Sequence, residues 1–238
     1  MKLLTEAARI VSYPARQHDT TPHRGTHFYE QTMNHRAKQR MEDLFLAQSA
    51  KPADWAEINL SQLTPFHRML LVTDGTVTRL IEAYTLSPVE VVRLHQETHI
   101  LPTEHVWLEL PAGREILVRE VILQTQGNAE FPTIVHTYAT SLIVPQRLPQ
   151  VIREGLEIHG EGLGRLLRSS GLETQRDLLW CGIEHPKELP EAIVHLAGKH
   201  FLSRAYRVVA GGQPIMLINE KFPLSYNQGE SEKNKKKT

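Results

Sequence analysis

Hydrophobic positions fall into a regular pattern only after residue 58. Leu60, Leu63, Phe66 and Leu70 are spaced as the buried stripe of a helix. A DGT turn follows, and a second helix is predicted from Asp74 or Thr76, whose side-chain oxygens can cap free backbone N–H groups, through TVTRLIEAY to a stop at Pro88. Three stretches rich in branched residues come next, at 89–96, 115–124 and 133–144, separated by Pro and Gly as strands are. LPQVIREGLEIHGEGLGRLLRSS reads as helical at both ends with glycines between. ETQRDLLWCGIEH, SRAYRVVA and PIMLINEKFP read as strands, the last two joined by the hairpin signal Ala210-Gly211-Gly212-Gln213. Short strands with tight turns and few intervening helices imply an antiparallel sheet. The expected class is α+β: a single domain with a roughly six-stranded antiparallel sheet and helices packed on it.

The ends lack this pattern. Residues 13–41 are polar and histidine-rich, too poor in aliphatic residues to build a core, and 227–238 (NQGESEKNKKKT) form a charged tail. The expected organisation is a polar extension over 1–58, the domain over 59–226 and a disordered tail over 227–238.

The chain has 238 residues, with Lys plus Arg and Asp plus Glu at 27 each, so no global positive field draws in nucleic acid or anionic membrane. One cysteine, Cys181, excludes an internal disulfide framework and reads as a small buried filler. No apolar run is long enough to span a bilayer, and acid and base interrupt the apolar start, so a cytoplasmic protein is expected.

Two charges stand out on apolar strands. Period-2 alternation puts Arg119 in phase with Leu117, Val121 and Leu123, and Glu220 in phase with Met216 and Ile218. An unpaired buried guanidinium is very costly. Each residue therefore reaches water at a strand end, or the two form a structural ion pair, or Arg119 binds an anion facing a carboxyl whose burial lets it donate a proton. Spacing does not choose among these, because the alternate faces (Ile116, Val118, Ile122; Ile215, Leu217) are apolar too.

Gly160-Glu161-Gly162-Leu163-Gly164-Arg165 precedes a helix expected near Arg165, whose N-terminus offers N–H groups, but it fits neither a Rossmann nor a Walker loop. His95 and His99 lie four apart in a segment read as a strand, so they are not expected to form one coordinating face, and no metal is expected. No nucleophile elbow occurs.

Four blocks in order, LTPFHRMLLVTDGTVTRLIEAY, LVREVIL, GEGLGRLLRSSGLETQRDLL and SRAYRVVAGGQPIMLINEKFPL, resemble the chorismate lyase-like superfamily. They are most similar to its cyanobacterial, plastid and mycobacterial chorismate pyruvate-lyase-type branch, and the similarity spans about Gln62 to Leu224. The resemblance implies a carbon–oxygen lyase that converts chorismate to 4-hydroxybenzoate and pyruvate without metal or organic cofactor, feeding quinone or other 4-hydroxybenzoate-derived biosynthesis. It also implies site residues: the family's substrate-binding arginine falls on Arg119, its carboxylate on Glu220 and its backbone ligand on Leu163. The methionine of its turn motif falls on Val77, a departure, and a pocket-flap arginine falls near Ser141, where this chain has none. Arg204 and Arg207 are further candidates for the substrate's second carboxylate. The competing expectations are a non-catalytic sensor of small aromatic acids, like the effector-binding domains of the same fold, or an enzyme for another chorismate-like acid.

Overall fold

Thr64 and Pro65 open the first helix by local chemistry. In the computed structural model, which describes residues 36, 39–158, 162–186 and 188–224, Thr64 Oγ1 accepts from the His67 backbone N–H at 3.2 Å. Pro65 takes the first helical position, where a missing N–H costs nothing. Helix α1 spans Pro65–Val72. Helix α2, Val77–Thr85, follows Thr76 and stops before Pro88, at Leu86, which adopts a left-handed φ of 53° and bonds back to Glu82 O. The glycine-interrupted segment forms α3 (Gln150–Glu157) and α4 (Leu163–Ser169), so the second begins two residues earlier than expected. Gly160 and Glu161 lie outside the described residues, as do 1–35 and the expected tail 227–238.

Six strands form one antiparallel sheet: β1 (Glu90–Ile100), β2 (Glu115–Thr125), β3 (Ile134–Ile143), β4 (Gln175–Glu184), β5 (Phe201–Ala210) and β6 (Gln213–Pro223), in the order β1-β2-β3-β6-β5-β4. The β5–β6 hairpin turns on Gly211 and Gly212, both with positive φ (55° and 77°), which suits a two-residue turn matched to strand twist. The chain leaves central β3 and re-enters at edge strand β4, and α3 and α4 lie in that crossing.

Both faces of the sheet are buried. Under the helices, Leu71, Ile81, Ile152 and Leu156 pack with Ile143, Val208 and Met216. On the other face Leu108 and Leu110 pack on Ile116, Ile193 and Leu196 on Ile122 and Phe201, and Trp55 on Leu179 and Ala205. Apolar residues in both phases of β2 follow from this double cover.

Part of the segment expected to be a polar extension lies along the outer edge of β4. The N–H groups of Leu46 and Ala47 donate to Leu178 O and Leu179 O, and Ala56 and Ile183 exchange both backbone bonds. Between them the Gln48 side-chain amide pairs with Cys181 as a strand would, Nε2 to Cys181 O at 2.8 Å and Cys181 N–H to Oε1 at 2.9 Å. Cys181 is buried, and burial pushes its thiol up to about 12.

Candidate functional site

Strand register sets the positions of the two charges. Arg119 pairs with Ser141, Ser141 with Ile218 and Ile218 with Tyr206. Glu220 lies one register step along from Ile218, opposite Ala139 and Arg204. Residues directly opposite point the same way, so Arg119 and Glu220 share the helix-covered face, two strand spacings (about 10 Å) across the sheet and two residues (about 7 Å) along it. Arg119 is 1% exposed and Glu220 8% exposed. Neither is a strand-end charge reaching water.

The C-terminal end of α3 holds Arg119. Its Nη1 donates to Leu156 O at 3.1 Å and to Gln96 Oε1 at 2.7 Å, while Gln96 Nε2 and Arg93 Nη1 donate to the same Leu156 oxygen at 3.2 and 3.0 Å. A helix C-terminus leaves carbonyls without intrahelical partners and carries partial negative charge, so three donors converge there. Burial lowers the Arg119 pKa from its ordinary value, and Arg93 adds to the lowering. Two acceptors on one nitrogen fix the guanidinium plane against the wall.

Glu220 pairs with Arg204, not with Arg119. Arg204 Nε and Nη2 both reach Glu220 Oε2 at 2.8 Å, and the Tyr206 hydroxyl donates to Oε1 at 3.1 Å. Arg204, 0% exposed, also donates through Nη1 to Leu71 O at 3.1 Å and Thr73 O at 2.8 Å, the free carbonyls at the end of α1. In that pairing both carboxylate oxygens of Glu220 have hydrogen-bond donors. Arg204 is a structural partner and does not supply the second-carboxylate site considered for it. Arg207 lies outside the cavity lining and pairs with Asp177 Oδ2 at 2.9 Å and Glu109 Oε1 at 3.0 Å.

Between this face and the helices lies a cavity of about 590 Å³. Its lining includes Arg119, Val121 and Leu123 from β2, Ala139 and Ser141 from β3, Ile218 and Glu220 from β6, and Tyr206 and Val208 from β5. Helix α2 contributes Val77 and Arg79, and α4 contributes Leu163, Gly164 and Arg168. The structure thus brings Arg119, Glu220, Leu163 and Val77 to one cavity. Leu163 is the first residue of α4, where backbone N–H groups lack intrahelical acceptors. Gly164 lets that helix approach α2: a Cβ there would stand 3.0 Å from Thr76 Cγ2. Ser141 sits within β3 beside Arg119, on a strand and not a flap.

Sequence reasoning missed Gln96, whose signal was cross-strand register, and Arg168 and Arg176, which line the cavity. It also misjudged the histidines. A strand puts residues i, i+2 and i+4 on one face, and the ligand atoms of His95, Glu97 and His99 lie within 4.8 Å of one another. Because Gln96 turns toward Arg119, this group lies on the face away from the cavity.

A buried guanidinium, a hydrogen-bonded carboxylate and apolar side chains thus line one cavity. The family model described as Chorismate pyruvate-lyase Rv2949c-like matches residues 71–228, and the chain belongs to this family. It is 30% identical to a chorismate pyruvate-lyase of Mycobacterium leprae over 164 residues, covering 68% of this chain and 75% of the relative. It is 31% identical to the chorismate pyruvate-lyase of Mycobacterium tuberculosis strain H37Rv over 161 residues, covering 65% and 78%. Among solved structures, the C-terminal domain of the histidine utilization repressor from Pseudomonas syringae aligns with a TM-score of 0.41 at 14% identity, covering 57% of this chain and 91% of that one. Among the described residues no helix is long and apolar enough to cross a membrane.

Proposed function

We propose that the cavity binds chorismate and eliminates pyruvate from it, leaving 4-hydroxybenzoate. The observation that carries this reading is the placement of Arg119 and Glu220 on one cavity wall, two strand spacings apart, in a chain of this family. A planar guanidinium suits the ring carboxylate, and the first N–H groups of α4 at Leu163 add donors on the opposite wall. Glu220, an acceptor fixed by Arg204 and Tyr206, takes a hydrogen bond from the ring hydroxyl through Oε1. Val77 packs against the ring as an apolar contact.

In the reaction the ring–oxygen bond of the enolpyruvyl ether breaks, and the electron pair leaves with that oxygen. The ring carbon bearing the hydroxyl loses a proton, the ring becomes aromatic, and the enolpyruvate leaving group takes up a proton to become pyruvate. Atoms and electrons balance without an oxidant, reductant or group acceptor. Aromatisation supplies much of the driving force, so the protein's contribution is orientation and exclusion of water. Such a product would serve quinone or other 4-hydroxybenzoate-derived biosynthesis in the cytoplasm.

The test is to mix purified protein with chorismate and follow pyruvate and 4-hydroxybenzoate together. Stoichiometric release of both, slowed about 30-fold or more in Arg119→Ala, is expected. No turnover, or full turnover in Arg119→Ala, overturns the reading, and binding of 4-hydroxybenzoate without turnover would favour a sensor of aromatic acids.

A further inference from the structure

Charge is distributed unevenly around the cavity. Among the described lining residues are five arginines (79, 119, 165, 168 and 176) and three glutamates (82, 90 and 220), and Glu220 is already matched by Arg204. Glu82 Oε1 accepts from the Val89 N–H at 3.2 Å and Glu90 Oε2 from Gln124 Nε2 at 3.2 Å, both at the β1 side. The cationic excess thus faces the cavity from the β4 and α4 side as well as from Arg119.

Arg176 is the informative member. It stands on β4, paired with Val208, and β4 is four strands from β2 in the sheet order. At about 4.8 Å per strand, its backbone is roughly 19 Å from that of Arg119, with the cavity between the two long side chains. One of its donors is used locally: Nη1 bonds Asp74 O in the turn before α2. Its guanidinium carbon lies 6.0 Å from the centroid of the Tyr206 ring, the same tyrosine that bonds Glu220. Its Nε is buried and has no hydrogen-bond acceptor. A buried N–H without an acceptor is costly, so the Arg176 guanidinium is not fully satisfied by the protein around it. Beside it, Arg168 Nη2 donates to Thr76 Oγ1 at 2.8 Å, which holds a second guanidinium at the same turn.

The geometry points to Arg176, with Arg168, as a second carboxylate subsite, opposite Arg119, that selects dicarboxylates carrying one acid group on a ring and another on an ether side chain. This rests on the proposed binding of the ring acid at Arg119 and deepens it. It also supplies the role that neither Arg204 nor Arg207 is free to fill, since both guanidiniums are committed to carboxylates.

The test compares two stable probes that differ in the second acid alone, 4-(carboxymethoxy)benzoate and 4-methoxybenzoate, by calorimetric titration of the full chain. The wild type is expected to bind the dicarboxylate about 10- to 100-fold more tightly, the range for hydrogen bonds to charged groups. Arg176→Met should erase that preference while leaving 4-methoxybenzoate affinity within about threefold, Arg168→Met should reduce it, and Arg119→Met should weaken both probes. Equal binding of the probes by the wild type, or a preference that survives both Arg176→Met and Arg168→Met, overturns the subsite. Should Arg176→Met unfold, Arg176→Lys and Arg168→Met decide, the first by retaining part of the preference and the second by losing part of it. A dicarboxylate preference without chorismate turnover would leave the subsite standing and sink the lyase reading. Turnover without the preference would do the reverse.

Discussion

Arg204 and Glu220 form a cross-strand ion pair that also ties sheet to helix, because the same guanidinium binds the carbonyls at the end of α1. Removing one member leaves the other charged in a dry site. Glu220→Ala should cost about 3–5 kcal/mol of unfolding free energy in a urea titration. The double replacement Arg204→Met with Glu220→Leu should recover much of that loss, and both should lack lyase activity. A single variant as stable as wild type would show that the pair does not sustain the fold.

Gln96 accepts a hydrogen bond from Arg119, and in the proposed reaction it acts through that arginine. Arg119→Ala should lower kcat/KM by about 2–5 kcal/mol, roughly 30- to several-thousand-fold. Gln96→Ala, which removes the 2.7 Å acceptor but keeps the Leu156 carbonyl, should cost about tenfold and chiefly raise KM. Loss confined to kcat in Gln96→Ala would argue against a positioning role.

Stability should form a plateau with two differently caused edges. Burial lowers the pKa of His67, His105 and His136, so the unfolded chain binds more protons once pH drops below about 6.5, and the contribution of the neutral imidazoles is lost on the acid side. Burial raises Cys181 and Tyr138 to about 12, so the unfolded chain releases protons first and stability falls as pH rises above about 9. Melting temperatures across pH 5 to 10.5 check both edges, and His136→Gln should flatten only the acid one.

Gly182 is required by close approach, since a Cβ there would stand 3.1 Å from Ala56 O and 3.1 Å from Trp55 Cβ. Backbone cannot give way as a side chain can, so Gly182→Val should cost about 1–3 kcal/mol. It should also loosen the Gln48–Cys181 seam. A thiol reagent that leaves native Cys181 unmodified at pH 8 should then label it, and an unreactive thiol in the folded variant would count against this account.

Most strand boundaries were legible because Pro and Gly punctuate the branched runs, as at the Ala210–Gln213 hairpin, while β1 runs to Ile100, past the end expected at 96. Arg119 and Glu220 stood out as charges, yet their partners did not, because loops bury the second sheet face and make both phases of β2 and β6 apolar. Register, not periodicity, places Gln96 beside Arg119 and Arg204 beside Glu220. Arg176 was illegible for a related reason: only the β3-to-β4 crossing carries it round to the far wall. The shared face of His95, Glu97 and His99 was overlooked because the segment was read as a strand, yet on a strand residues two and four apart point the same way.

The strip of chain hydrogen-bonded to β4 also bears on solubility. Among the described residues, β1 has no strand on its outer side and carries Arg93, His95, Glu97 and His99, charged or titratable groups that discourage a second sheet from docking. On β4, the run LLWCGI offers little such deterrent, and residues 46–56 occupy its open donors and acceptors. A polypeptide begun at Asn59, where hydrophobic periodicity alone would place the start, would bare an apolar strand edge able to template pairing between copies. It should accumulate as oligomers on a sizing column while the longer chain does not.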